Sequence, residues 1–144
     1  MHLTRHTDYA YRVLIYLAAQ DNRLATIGEI AERYDISRNH LMKVVQGLTR
    51  AGFLHSLRGK GGGIRLACPE SEINLGAVAR ATEEDFAIAE CFPGGTGRCR
   101  IAPGCRLAGV LNEALQAFLN VLDGYTLADL MGNRAQVARL LDLS

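Results

Sequence analysis

The chain has no tryptophan, only three prolines, and aromatic residues at 6% of its 144 positions. It also lacks any long apolar run, so no segment approaches the roughly 20 residues that a membrane helix requires. The opening segment, MHLTRHTDYAYRVLIYLAAQ, is broken by Asp8 and Arg12, and no small-residue cleavage site follows it. The expectation is a cytoplasmic protein with no membrane partner. Catalytic signatures are missing too. There is no nucleophile–base motif, nucleotide fingerprint or supported carboxylate pair, so an enzyme is not expected. The four cysteines contain no paired C-x2-C knuckle of the kind usual in structural zinc sites.

Formal charge is close to balance, at +1, but it is unevenly placed. Residues 1–65 hold ten Lys or Arg against five Asp or Glu, together with all four histidines. The remaining residues hold six basic and ten acidic side chains. A basic N-terminal half on a near-neutral whole points to a polyanion such as nucleic acid.

Local patterns in that basic half give an order of elements. Apolar residues at Ala10, Val13, Leu14, Leu17 and Ala18 form a helical stripe, with Thr7 as the expected cap and an end near Gln20–Asn22. Thr26 and Glu29 read as a capping box for a second helix. Ser37 caps a third, reaching Arg50, with Leu41, Val44, Val45 and Leu48 facing inward. Two strand-like runs, 53–57 and 63–67, flank the hairpin tip Arg58-Gly-Lys-Gly-Gly-Gly63. Helix, helix, turn, helix and hairpin in this order predict a mainly α fold with a winged helix-turn-helix at residues 1–67.

The third helix would then present Ser37, Arg38, Asn39, His40, Lys43, Gln46 and Arg50 to double-stranded DNA. Arg and Lys suit phosphates or guanine, and Asn and Gln can pair bidentately with adenine. At the tip, Arg58 and Lys60 flank Gly59 and Gly61, which permit tight turns and close backbone approach to a minor groove.

Residues 68–105 read as a linker, a short helix capped by Asn74, and a loop carrying Cys91, Cys99 and Cys105. Residues 106–144 read as a long dimerisation helix, Arg106 to about Asp123, followed by a tail. That helix carries Leu107, Leu111, Ala114, Leu115, Phe118 and Leu122 along one side. At 1.5 Å per residue it spans about 27 Å, and a symmetric partner helix is the economical cover, predicting a homodimer. Three thiols in a glycine-rich loop of a reduced protein favour a metal or iron–sulfur site over disulfides. Zinc or a thiol redox pair stays open on this spacing alone. Cys68, beside Pro69, reads as a buried or idle thiol.

The segments LTRHTDYAYRVLIYLA, ISRNHLMKVVQGLTRAGF, LRGKGGGIRL, the three-cysteine loop and LDGYTLADL carry a resemblance over essentially the whole length. Through them the chain resembles the NsrR family of nitric-oxide-responsive winged-helix repressors, within the wider group that includes the iron–sulfur regulator IscR. The resemblance implies a 4Fe–4S cluster held by Cys91, Cys99 and Cys105, with Asp8 of the other subunit as fourth ligand. It implies Arg12, one turn after Asp8, as a cluster-coupling residue, and release of operator DNA on exposure to nitric oxide. The alternative is a 2Fe–2S or redox-responsive regulator of the same fold. IscR-like proteins use a histidine three residues after the last cysteine, where this chain has Ala108. The seven residues between Cys91 and Cys99 also exceed the family's more usual interval.

Overall fold

A computed structural model describes residues 1–143. Six α-helices are present: α1 (Arg5–Ala19), α2 (Ile27–Tyr34), α3 (Arg38–Arg50), α4 (Leu75–Thr82), α5 (Arg106–Asp123) and α6 (Arg134–Leu140). One antiparallel hairpin, β1 (Leu54–Leu57) and β2 (Gly63–Leu66), follows α3. A 3-10 segment, Leu127–Asn133, joins α5 to α6. The element order is that of a winged helix-turn-helix with a long helix after it, as the sequence predicts.

α1 starts one turn earlier than its apolar stripe suggests. Thr4 is the N-cap, and its hydroxyl accepts from the Thr7 N–H. Thr7 is a fully buried helix residue instead. Its hydroxyl lies 2.9 Å from that of Thr82 of α4, which also lies 2.8 Å from the Val78 carbonyl, so the single Thr82 proton serves one of these two acceptors. A buried hydroxyl needs such a partner, because an unsatisfied one costs about 1–3 kcal/mol. The other caps fall where the sequence places them. Thr26, Ser37 and Asn74 accept from Glu29, His40 and Ala77 respectively.

α1 is the spine of the molecule. It packs on α3, α4, β2, the 3-10 segment and α6. One cluster holds Val13, Leu14 and Leu17 of α1, Leu41, Val44 and Leu48 of α3, and Leu127, Met131 and Leu141 of the tail. The tail therefore closes back onto the helix-turn-helix. Arg134 fastens it there, donating to the Ala18 carbonyl and to Glu70 at 2.5 Å.

The wing is tied to the end of α1. Asn22, at φ 56°, uses its side-chain amide like a strand backbone. Its Oδ1 accepts from the Leu66 N–H at 2.6 Å, and its Nδ2 donates to the Leu66 carbonyl at 3.5 Å. Ala25 and Ile64 add an antiparallel bridge beside it. Gly62 is forced, since a Cβ there would sit 2.2 Å from the Leu57 carbonyl oxygen.

α5 departs from its expected packing. The inward stripe is Ala108, Leu111, Leu115, Leu119 and Leu122, with Leu119 the most buried, and α5 rests on α4 rather than α1. Leu107 and Phe118, read as one stripe with these, lie on another face, 59% and 41% exposed. Val110 and Val121 share that face at 59% and 61%. The sequence pattern merges two adjacent stripes, because apolar residues occupy more than half the circumference of this helix. Arg80 and Asp123 pin the far end of α5 to α4 at 2.5 Å, an exposed pair. Among the described residues no helix is long and apolar enough to cross a membrane.

Leu14→Ala removes a fully buried side chain from the centre of the shared core. It is expected to lower stability by about 2–5 kcal/mol, read as a shift in the urea unfolding midpoint with the slope unchanged.

Candidate nucleic-acid interface and cysteine loop

α3 buries Leu41, Val44, Val45 and Leu48, which forces the opposite side outward. Arg38, Asn39, Lys43, Gln46 and Arg50 all lie there, exposed, as does the cap Ser37. Gly28 of α2 leaves room for the Arg38 guanidinium, whose Cζ lies 4.0 Å from the position of an added Cβ. Met42 joins the same face at 41% exposure, and its apolar character hides it in the sequence. Its spacing, four residues after Arg38 and four before Gln46, carries the signal. An exposed thioether among these polar side chains offers an apolar contact on the same face.

His40 is placed differently from its neighbours. It is half-buried, and its ring faces α1. Its centroid lies 4.8 Å from that of Tyr9 and 6.2 Å from that of His6. The sequence reads His40 as one more groove-facing residue because it falls in the polar half of the helix. In the structure two α1 side chains engage its ring.

At the wing tip Arg58, Gly59, Lys60 and Gly61 are all exposed. Gly59 and Gly61 have φ of 92° and 77°, the left-handed region that side chains rarely adopt. The tip is thus a tight basic projection with its backbone accessible.

On α1, Arg12 holds the Asp8 carboxylate in a bidentate pair, Nε to Oδ1 at 3.1 Å and Nη2 to Oδ2 at 2.9 Å. Asp8 nonetheless stays 46% exposed. The same guanidinium lies 5.4 Å over the Tyr9 ring and 5.8 Å over that of Tyr34. Cations over aromatic faces are attracted by about 0.5–2 kcal/mol, depending on desolvation. The Tyr34 hydroxyl donates to the Arg12 carbonyl at 2.8 Å. Burial pushes the Tyr34 phenol well above its usual range, so it remains a donor.

The cysteine loop joins α4 to α5. Cys91 is exposed, Cys99 and Cys105 are half-buried, and all three are free thiols. Among the described residues no three His, Cys, Asp or Glu side chains converge on one point. The loop therefore holds three soft donors within a short span without drawing them together. Its first half is a closed turn. Gly95 donates to the Phe92 carbonyl and Gly97 to that of Glu90, with Phe92 as a buried anchor. Gly94, at φ 91°, packs against Asp85, where a Cβ would meet the carboxylate at 2.6 Å. Cys105 is the N-cap residue of α5, and its side chain makes no capping hydrogen bond. Arg98, Arg100 and Arg106 are exposed around the loop. Cys68 lies apart, half-buried at the base of the wing beside His55 and Arg65. Burial is the larger reason its thiol is pushed up, with Glu72 adding to it, so it is a poor thiolate.

A helix-turn-helix with a basic face, a wing and a separate thiol loop defines a winged-helix transcription regulator. The chain belongs to the Rrf2 family, iron-dependent transcriptional regulators, whose model matches residues 3–133. It is 51% identical to the HTH-type transcriptional regulator NsrR of Bacillus subtilis, over 99% of both chains. The NsrR of Oceanobacillus iheyensis is 49% identical over 99% of this chain and 98% of its own. Among solved structures, the oxidised form of Staphylococcus aureus CymR superposes with a TM-score of 0.72 at 26% identity, covering 92% of this chain and 97% of that one. T. potens IscR shares the fold with a TM-score of 0.71 at 24% identity, covering 92% of this chain and 88% of that one. These relatives are regulators of transcription, a role without catalysis.

Replacing Arg58 and Lys60 together by Ala should weaken DNA binding similarly on all sequences. It should also lower the dependence of log affinity on log salt by roughly one for each phosphate no longer neutralised. Titrations at two or more salt concentrations check this.

Proposed function

We propose that the protein is a homodimeric repressor that binds operator DNA and releases it in response to nitric oxide, sensed at a 4Fe–4S cluster. The observation that carries this reading is the pairing of two features. Three free thiols share one loop, and a half-exposed carboxylate, Asp8, sits on the helix that packs against α3. The donor chemistry fits: Cys91, Cys99 and Cys105 would hold three corners, leaving one for an oxygen donor from elsewhere. The fourth ligand, Asp8 of a second subunit, is the one that the resemblance to NsrR-like regulators implies. When bound, the cluster supplies iron sites that nitric oxide can attack.

The chain's own residues divide the work by region. Residues 1–67 read DNA, with Ser37, Arg38, Asn39, Lys43, Gln46 and Arg50 in the major groove and Arg58, Gly59, Lys60 and Gly61 at the minor groove. Residues 68–105 present the thiols. Residues 106–144 supply the dimer face, Leu107, Val110, Phe118 and Val121, an exposed apolar stripe on one side of α5. Asp8 pairs with Arg12 on its own helix and would be the residue that holds the group's remaining corner on a partner's loop. Which of these Asp8 does would set the charge that Arg12 faces, and Arg12 rests on Tyr9 and Tyr34 at the seam with the helix-turn-helix. This is a two-state bias set by ligand chemistry.

Anaerobic purification with iron and sulfide counting tests the cluster directly. About four irons per subunit are expected; about two would favour a 2Fe–2S regulator, and none a zinc or thiol redox module. Cys91→Ala should yield protein without iron that binds the operator at least tenfold more weakly, about 1.4 kcal/mol. Wild-type affinity in that variant would overturn the reading.

A further inference from the structure

We infer that Tyr9 and His40 form a positioning pair, through which α1 sets the attitude of the recognition helix, and that His40 does not read base edges. The inference rests on the DNA-binding role of α3 proposed above.

The geometry comes first. His40 lies in the first turn of α3, where its N–H is held by the Ser37 hydroxyl at 3.2 Å. From that fixed point the ring turns back onto α1. Tyr9 meets it tilted at 57°, with centroids 4.8 Å apart, within the roughly 4.5–7 Å range of interacting aromatic pairs. His6, also on α1, lies 6.2 Å from the same ring, with its plane inclined at 28°. His6 then runs along α3 toward Gly47, seven residues after His40 and so on the same side of the helix. A Cβ at Gly47 would lie 3.6 Å from the His6 Nε2, an ordinary van der Waals distance, so His6 borders α3 at this turn. Tyr9 and His6 thus grip α3 along two turns.

A ring committed in this way is not free to reach into a groove. Arg38, Asn39, Lys43 and Gln46, which flank His40 in sequence, are exposed, whereas His40 is half-buried. The pair also has an upstream end. Arg12 covers the Tyr9 ring and holds Asp8, so one contiguous set of contacts runs Asp8–Arg12–Tyr9–His40. A double-mutant cycle measures the coupling between its last two members.

The test uses the full-length, iron-loaded dimer. Wild type selects its preferred sequence from a random double-stranded DNA library, and that sequence is the probe for every variant. His40→Phe keeps a ring in the seam but removes both ring nitrogens. It is expected to bind within about twofold of wild type and to select the same sequence. His40→Ala and Tyr9→Leu should each bind about tenfold more weakly with sequence preference and iron content unchanged, and Tyr9→Phe should restore binding. The double variant His40→Ala/Tyr9→Leu should be no weaker than either single one.

The pair is overturned if His40→Phe loses as much affinity as His40→Ala, or selects a different base within a half-site, since His40 then contacts DNA. It is overturned equally if the two single losses add, or if His40→Ala binds as wild type does. A wild-type protein that selects no sequence at all would instead sink the DNA-binding reading itself.

Discussion

The packing of α1 against its neighbours is the constraint on which the rest of the structure depends. Its apolar face is buried completely at Ala10, Val13, Leu14 and Leu17, and it touches the recognition helix, the loop-bearing helix α4 and the returning tail. Protein interiors are packed to near-crystalline density, so such a helix transmits displacement rather than absorbing it. Every functional part lies against α1 or one neighbour away from it. The carboxylate Asp8 and the cation Arg12 are on it, Tyr9 and His6 reach from it to α3, and Thr7 joins it to the end of α4. The arrangement joins one rigid element to α4, the helix before the thiol loop, and to α3, the helix with the basic face.

Charge and hydrophobicity are partitioned to match. Basic groups concentrate on α3 and the wing tip, where exposure keeps them hydrated until a polyanion displaces that water. The apolar stripe belongs to α5 instead, exposed over Leu107, Val110, Phe118 and Val121. Stripes of this kind are the usual mark of an interface. The two surfaces arise on different elements, so a partner covering the apolar stripe would leave the basic side chains free.

Much of this is legible in the sequence because local chemistry decides it. Caps at Thr26, Ser37 and Asn74, the four-residue spacing of apolar positions in α3, and the glycines of the tip are all local signals, and each falls where expected. What fails to show depends on three-dimensional neighbours. Thr7 reads as a cap because hydroxyls favour helix starts, and only its bond with Thr82 reveals it as buried. The contacts of the His40 ring with Tyr9 and His6 also escape the sequence, because helical periodicity gives a direction but not the neighbour met there. Both faces of α5 are apolar, so periodicity alone does not say which one meets α4. The thiol loop is visible as composition, but whether three thiols converge depends on long-range folding, which no spacing rule encodes.

The amide of Asn22 gives the fold a further property. By standing in for a strand beside Leu66, it welds the wing hairpin to the last turn of α1. The same helix grips the recognition helix near its first turns. The two DNA-reading parts are therefore mounted on one lever arm at two stations, one near each end. A tilt of that arm would swing groove reader and wing tip together, so the duplex would be let go at both stations at once rather than peeled away one site at a time. Such a tilt would displace both stations together as a latch moves, with no part of the domain having to unfold.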